Sequence, residues 1–331
     1  MKSKQTRLRV LKLAERLENV AEACRQSGVN RASFYGWRKR YLDEGPDGLT
    51  VRSPKRRVYP QKSSPQLVHK IRELSLTHPA FGCDRIGPLV SKEGQAISSV
   101  SVQKILHTLG LGTRRLRWLA LEDQYRQSQN TLSPEQIEFI EQQNPAFRDR
   151  SVGRVEPGDL LHADTFLAGA CKGGGKVYLH AVIDGCSGFA IGALAPTIDP
   201  EIAIGLLETD VVPLLLASQI RIKTVLTGSG REYSGPGRHP YQRYLASRSI
   251  TQTIVSGSDR HSGTMERFRR TVAHAFLGPA LAKDGLQGLE VLASKLAAWL
   301  RHYNTGMAQD GFPNYGKTPA EMAQISVSIE A

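Results

Sequence analysis

Apolar residues in TRLRVLKLAERL fall at Val10, Leu13, Ala14 and Leu17, the i, i+3, i+4, i+7 spacing of one helical face. NVAEACRQSG reads as a second short helix ended by Gly28, and Asn30 is placed to cap a third that stops at Gly45. On that third helix Phe34, Trp37 and Tyr41 share a face expected to be core. Arg31, Ser33, Tyr35, Arg38, Lys39 and Arg40 give the same helix the polar, basic character of one that enters a major groove in a helix-turn-helix motif.

The pattern then repeats. After GLTVRSPKRRVYPQKSSP, a Pro-, Ser- and Arg-rich stretch suited to lie along phosphates through Arg56 and Arg57, helices are expected from about Pro65 to Leu76 and Cys83 to Val90. Ser98 or Ser99 caps a further one running to about Leu109. With Ser99, Lys104 and the tail arginines Arg114, Arg115 and Arg117, this resembles a second helix-turn-helix or winged-helix-like module, and two modules in series suit a long asymmetric DNA site. From Leu121 to Val155 the polar helical stretch SPEQIEFIEQQN stands out in what reads as a connector.

From residue 157 the periodicity changes to two. DLLHADTFLA, VYLHAVID and GFAIGALA read as strands, with CKGGGK as a hairpin loop. DPEIAIGLLETDVV reads as a helix capped by Asp199, IKTVLTG as a strand, YQRYLASR as a helix and ITQTIV as a strand. GTMERFRRTVAHAFLG is a helix, and GLEVLASKLAAWLRHYN sets Leu289, Leu292, Leu296, Trp299, Leu300 and Tyr303 on one face of another. Three antiparallel strands followed by helix-strand-helix-strand-helix give a mixed five-stranded sheet covered by helices, the ribonuclease-H-like arrangement. The expected organisation is a helix-turn-helix domain (1–50), a basic linker (51–64), a second helix-turn-helix or winged-helix-like domain (65–118) and a connector (119–155). An α/β core (156–280) follows, with a C-terminal helix and tail (281–331) that complete it.

Charge sharpens the division. Residues 1–60 hold 15 Lys+Arg against 6 Asp+Glu, residues 61–120 hold 9 against 3, and the remaining 211 hold 20 against 22. The net +13 thus sits at one end, which points to a polyanion partner met by that end. No apolar run is long enough to span a membrane, and MKSKQTRLRV lacks the apolar stretch of a secretory signal, so a cytoplasmic protein is expected. Cys24, Cys83, Cys171 and Cys186 show no C-x-x-C spacing and support neither a zinc knuckle nor a disulfide framework. His162 and His180, on strands, read as core or edge residues; His261 has no assignable role.

Phosphodiester chemistry on such a sheet needs carboxylates from separated segments meeting at one edge, where divalent metals activate the attacking oxygen and stabilise the leaving one. The first strand offers Asp164 and the helix after the fifth strand offers Glu266, but the end of the fourth strand is TGSG, with no acid. PGDLLHADTF, AVIDGCSGFA, VLTGSGREY, GTMERFRRTV, LAAWLRHYNTG and YGKTPAEM, together with the N-terminal RASFYGWRKRY, resemble the retroviral-integrase-like DDE transposases of bacterial insertion sequences in order and spacing. The resemblance implies cutting of DNA ends and strand transfer with Mg²⁺ or Mn²⁺, with Asp164 and Glu266 as the first and third catalytic and metal-binding acids. It also implies a homodimer or larger assembly on double-stranded DNA.

The departures are concentrated around that edge. Where the family has Thr-Asp-Asn-Gly this chain has Thr227, Gly228, Ser229 and Gly230, so Gly228 replaces the second acid. Asp259, Arg260, His261, Ser262 and Gly263 stand where the family has Pro-x-Thr-Asn-Gly, and Gly306, Met307, Ala308 and Gln309 replace its Arg-Pro-His-Gln. TGSG lacks the Walker spacing and lysine of a phosphate-binding loop. The expectation is a transposase-derived DNA-binding protein, regulatory or accessory, with weakened metal binding and strand transfer lost or strongly impaired. The alternatives are an active transposase in which Glu232, Asp184, Asp259, Glu201 or Glu208 substitutes for the missing acid, and a decaying remnant of an insertion sequence.

Overall fold

Ser3, Asn19 and Asn30 each stand in extended backbone, and their side chains accept the backbone N–H of Thr6, Glu22 and Ser33, respectively. These caps start α1 (Lys4–Leu17), α2 (Val20–Ser27) and α3 (Arg31–Glu44). Gly28 ends α2 at φ +57°, a left-handed conformation that glycine adopts without strain. Val10, Leu11, Ala14, Ala23, Cys24, Phe34, Trp37 and Leu49 bury one another between the three helices. The structure, a computed structural model, describes residues 3–50, 63–92, 94, 96–128, 132–152, 156–170, 175–255, 262–280 and 288–325. Arg56, Arg57, Cys171, Asp259, Arg260 and His261 lie outside the described residues. The chain divides into two compact units, Met1–Ser63 and Ser64–Ala331.

The second unit begins with α4 (Pro65–Thr77), α5 (Cys83–Lys92) and α6 (Ser99–Thr108). Ser98, not Ser99, caps α6, its hydroxyl accepting from the Ser101 N–H at 3.3 Å. The segment 114–117, expected as a tail, opens α7 (Arg114–Ser128), and α8 (Pro134–Gln143) follows with a full capping box at Ser133. Ile71, Ile86, Val102, Leu106, Trp118, Leu121, Ile140 and Phe147 share one core, so the connector packs as part of the trihelical set. The charged run Arg114 to Arg117 hides this helix from a search for an apolar stripe, because Trp118 and Leu121 carry the packing only from its second turn.

The sheet has the order β3-β2-β1-β4-β5: β1 (Leu160–Ala170), β2 (Lys176–Asp184) and β3 (Ala190–Ala195) antiparallel, then β4 (Thr224–Thr227) and β5 (Thr251–Ile254) parallel to β1. This is the ribonuclease-H-like topology. One face, with Leu161, Ala163, Val182 and Val225, packs against α9 (Pro200–Leu206), α10 (Val212–Ala217) and α11 (Pro240–Ser247), with the short α14 (Pro319–Ala323) beside them. Asp199 stands at the start of α9, but its side chain makes no capping hydrogen bond. The other face, with Leu179, Ala181 and Ile183, packs against α12 (Gly263–Val272) and α13 (Leu289–Gly306) through Met265, Phe268, Leu296, Leu300 and Tyr303. Asn304 on α13 both donates to the carbonyl and accepts from the N–H of Ala190, fixing this helix to β3.

Candidate active site and DNA interface

Strand register decides which residues meet at the sheet edge. Ala163 pairs with Thr227 across the parallel β1–β4 ladder, so Gly228, one residue on, stands beside Asp164. Asp164 pairs with Ala181 and therefore projects to the face covered by α12. There Arg269 of α12 brings Nη1 within 3.6 Å of Asp164 Oδ2 and lays its guanidinium over the Phe166 ring, 4.9 Å from the centroid.

Glu266 lies on the first turn of the same helix. Ser262 caps that turn, accepting from Met265 N–H at 3.1 Å, and Asp149 accepts from the N–H groups of Gly263 and Thr264, each at 2.8 Å. A Cβ on Gly263 would fall 1.8 Å from the Pro145 carbonyl oxygen, so only glycine lets the 3-10 segment Pro145–Val152 sit this close. That segment delivers Arg148, which with Arg270 ion-pairs both oxygens of Glu266. Burial pushes the Glu266 carboxyl up, but the two arginines outweigh it and hold the group below its ordinary value.

The two acids therefore face different surroundings. Asp164 lines a cleft of about 360 Å³ with Gly228, Ser229, Gly230 and Glu232; Glu266 lines a neighbouring one of about 500 Å³ with Arg270 and His274. Phe166, Leu167 and Arg269 border both. A divalent metal shared by Asp164 and Glu266 does not fit this donor set. Gly228 supplies no ligand, both carboxylates face arginines, and among the described residues no group of three His, Cys, Asp or Glu is placed to hold a metal ion.

The other acids separate clearly. Asp184 is committed to the turn after β2, accepting from Gly158 N–H, Ser187 N–H and Ser187 Oγ. Burial raises its pKa, against those hydrogen bonds. Glu208 lies 3.5 Å from Arg248, and Glu201 is exposed. Glu232 is different: it is 6% exposed, lines the Asp164 cleft, and has no hydrogen bond or ion pair among the described residues. His180 is held between Thr165 Oγ1 and the Thr197 carbonyl, both at 3.1 Å, while burial pushes His162 down to about 4. Both are neutral interior groups near neutral pH.

Of the residues expected to meet DNA, Arg31, Tyr35, Arg38 and Lys39 lie exposed on α3, with Ser33 and Arg40 half-buried. Lys104 and Arg114 are exposed, and Ser99 is half-buried on α6. Arg115 is exposed but ion-pairs with Asp310. Arg117 is a correction: only 5% exposed, it donates to the carbonyls of Pro79 (2.7 Å) and Phe81 (2.5 Å) and ties α7 to the α4–α5 turn. Arg148 and Asp149 were not anticipated. Their signal was the alternating charge of FRDR, in a connector whose packing against α12 has no local sequence mark.

Residues 6–57 match the family model for a helix-turn-helix domain, and residues 33–106 match that for a homeodomain-like domain. The N-terminal third carries helix-turn-helix domains. Protein YlbG of Escherichia coli (strain K12) is 29% identical over 102 residues, 30% of this chain and 83% of YlbG. The magnesium complex of the HTLV-2 integrase catalytic core domain matches with a TM-score of 0.40 at 16% identity, over 52% of this chain and 99% of that one. A simian T-cell lymphotropic virus intasome in complex with PP2A regulatory subunit B56 gamma matches with a TM-score of 0.43 at 16% identity, over 79% of this chain and 76% of that one.

Proposed function

We propose that this chain is a transposase- or integrase-type DNA-binding protein whose strand-transfer activity is lost or strongly impaired, acting as a regulatory or accessory factor on double-stranded DNA. The reading is supported above all by Gly228 standing in register beside Asp164, where a second carboxylate would be required. The arginine partners of Asp164 and Glu266 support it further, because a carboxylate neutralised by guanidinium groups must give up those partners before it can bind a cation. Assembly into a homodimer or larger complex belongs to the same reading, as does weak binding of Mg²⁺ or Mn²⁺.

The test is nicking of supercoiled plasmid with Mn²⁺ by the unaltered protein, a Gly228→Asp, Ser229→Asn version, and Asp164→Ala. Cutting by the restored version alone is the expected result. One observation favours a second reading, an active enzyme: the carboxylate of Glu232 shares the Asp164 cleft and lacks a described partner. Nicking by the unaltered protein that Glu232→Gln and Asp164→Ala each abolish would establish it and overturn the first.

A further inference from the structure

The exposed stripe of α6 is Val100, Gln103, Lys104 and His107, the i, i+3, i+4, i+7 face opposite the buried Val102 and Leu106. Val100 breaks its polarity. It is 60% exposed near the start of the helix, while the other valines and isoleucines of α4, α5 and α6 are buried or half-buried. Gln103, one turn on, is exposed and has no side-chain hydrogen bond among the described residues. A free β-branched methyl pair and a free carboxamide one turn apart match the two major-groove features of an A·T pair. These are the thymine C5-methyl, read by apolar contact, and the adenine N6/N7 edge, read by a bidentate amide. Exposed Lys104 and Arg114 supply the flanking positive charge that a phosphate backbone requires.

We propose that α6 reads A·T pairs in the major groove, Val100 covering a thymine methyl and Gln103 bridging adenine N6 and N7. The proposal rests on the reading that these modules bind duplex DNA, and goes beyond it by naming the bases and the side chains that distinguish them. It commits to α6 as a base-reading helix, not only a backbone clamp.

The experiment uses the full chain. Binding sequences are enriched from random duplex DNA at physiological salt, and each thymine of the enriched site is replaced in turn by uracil, which lacks only the methyl. At one or more positions the unaltered protein is expected to lose about fourfold in affinity, the value of one buried methyl. Val100→Ala is expected to show no such loss there. Replacing the partner adenine by 7-deazaadenine, which lacks the N7 acceptor, is expected to cost the unaltered protein roughly tenfold and Gln103→Ala little. Both side chains are exposed, so unchanged melting temperatures verify that the variants fold. If a site is enriched but every uracil is tolerated, or Val100→Ala discriminates as the unaltered protein does, the inference is overturned while DNA binding stands. If no sequence or duplex is retained at all, the DNA-binding reading falls and the inference with it.

Discussion

A Cβ at Gly228 would meet nothing within 4 Å, and the backbone there is not left-handed, so a side chain can start at this position without strain. Gly228→Asp is therefore expected to fold normally and to strengthen Mn²⁺ binding by tenfold or more, read by calorimetry, since it adds a carboxylate beside Asp164. Unchanged affinity would mean that Arg269 still neutralises the pair. A second residue carries a pH signature. Glu122 is buried, accepting from Asn144 Nδ2 at 3.0 Å and Phe312 N–H at 2.7 Å, and burial pushes its carboxyl up to about 7. The folded state then binds the proton more tightly than the unfolded chain. Stability should fall as pH rises from about 4.5 to about 7, by on the order of 3 kcal/mol, and level off above. Glu122→Gln, which does not titrate, should flatten that segment of a pH series of denaturant melts. That Asp164 stands on the first strand and that the fourth strand ends in TGSG without an acid was legible in the sequence, whereas the register that sets Gly228 beside Asp164 was not, because a period-two pattern fixes the face of a residue and not its cross-strand partner. Arg117 and Arg148 were not, since an arginine reads alike in sequence whether it meets phosphate, a carbonyl or a carboxylate.

At the scale of elements, the candidate site depends on how the 3-10 segment Pro145–Val152 holds the start of α12. Gly263 admits the Pro145 carbonyl, Asp149 takes the first N–H groups, and Arg148 reaches Glu266. Gly263→Ala should cost roughly 2 kcal/mol or more, because the new Cβ meets backbone oxygen and not a movable side chain. Asp149→Ala should cost about 1–2 kcal/mol through loss of the cap. Urea melts measure both, and a Gly263→Ala protein as stable as the parent would refute the close approach. The longer strands β1 and β2 and the long helices were readable because their apolar patterns run over many residues. The role of the 3-10 segment was not, since it depends on contacts with residues more than a hundred positions away.

For the molecule as a whole, the excess positive charge and the sheet lie in different stretches of the chain. The first 120 residues hold the excess of Lys and Arg and the recognised helix-turn-helix domains, while the rest is close to neutral and carries the sheet. No helix among the described residues is long and apolar enough to cross a membrane. If the polyanion is met by the basic end, binding must release counterions in proportion to the phosphates neutralised there. Arg38→Ala or Lys39→Ala, each on the exposed face of α3, should weaken DNA binding and lower the slope of log affinity against log salt by about 0.9. Arg301→Ala, also exposed but on α13 in the neutral half, should leave slope and affinity unchanged. Fluorescence anisotropy of labelled duplex at several salt concentrations measures all three. Equal loss of slope from Arg301→Ala would mean that the sheet-bearing half also lies against DNA. The basic end would then be one part of a longer phosphate track and not the whole of the contact.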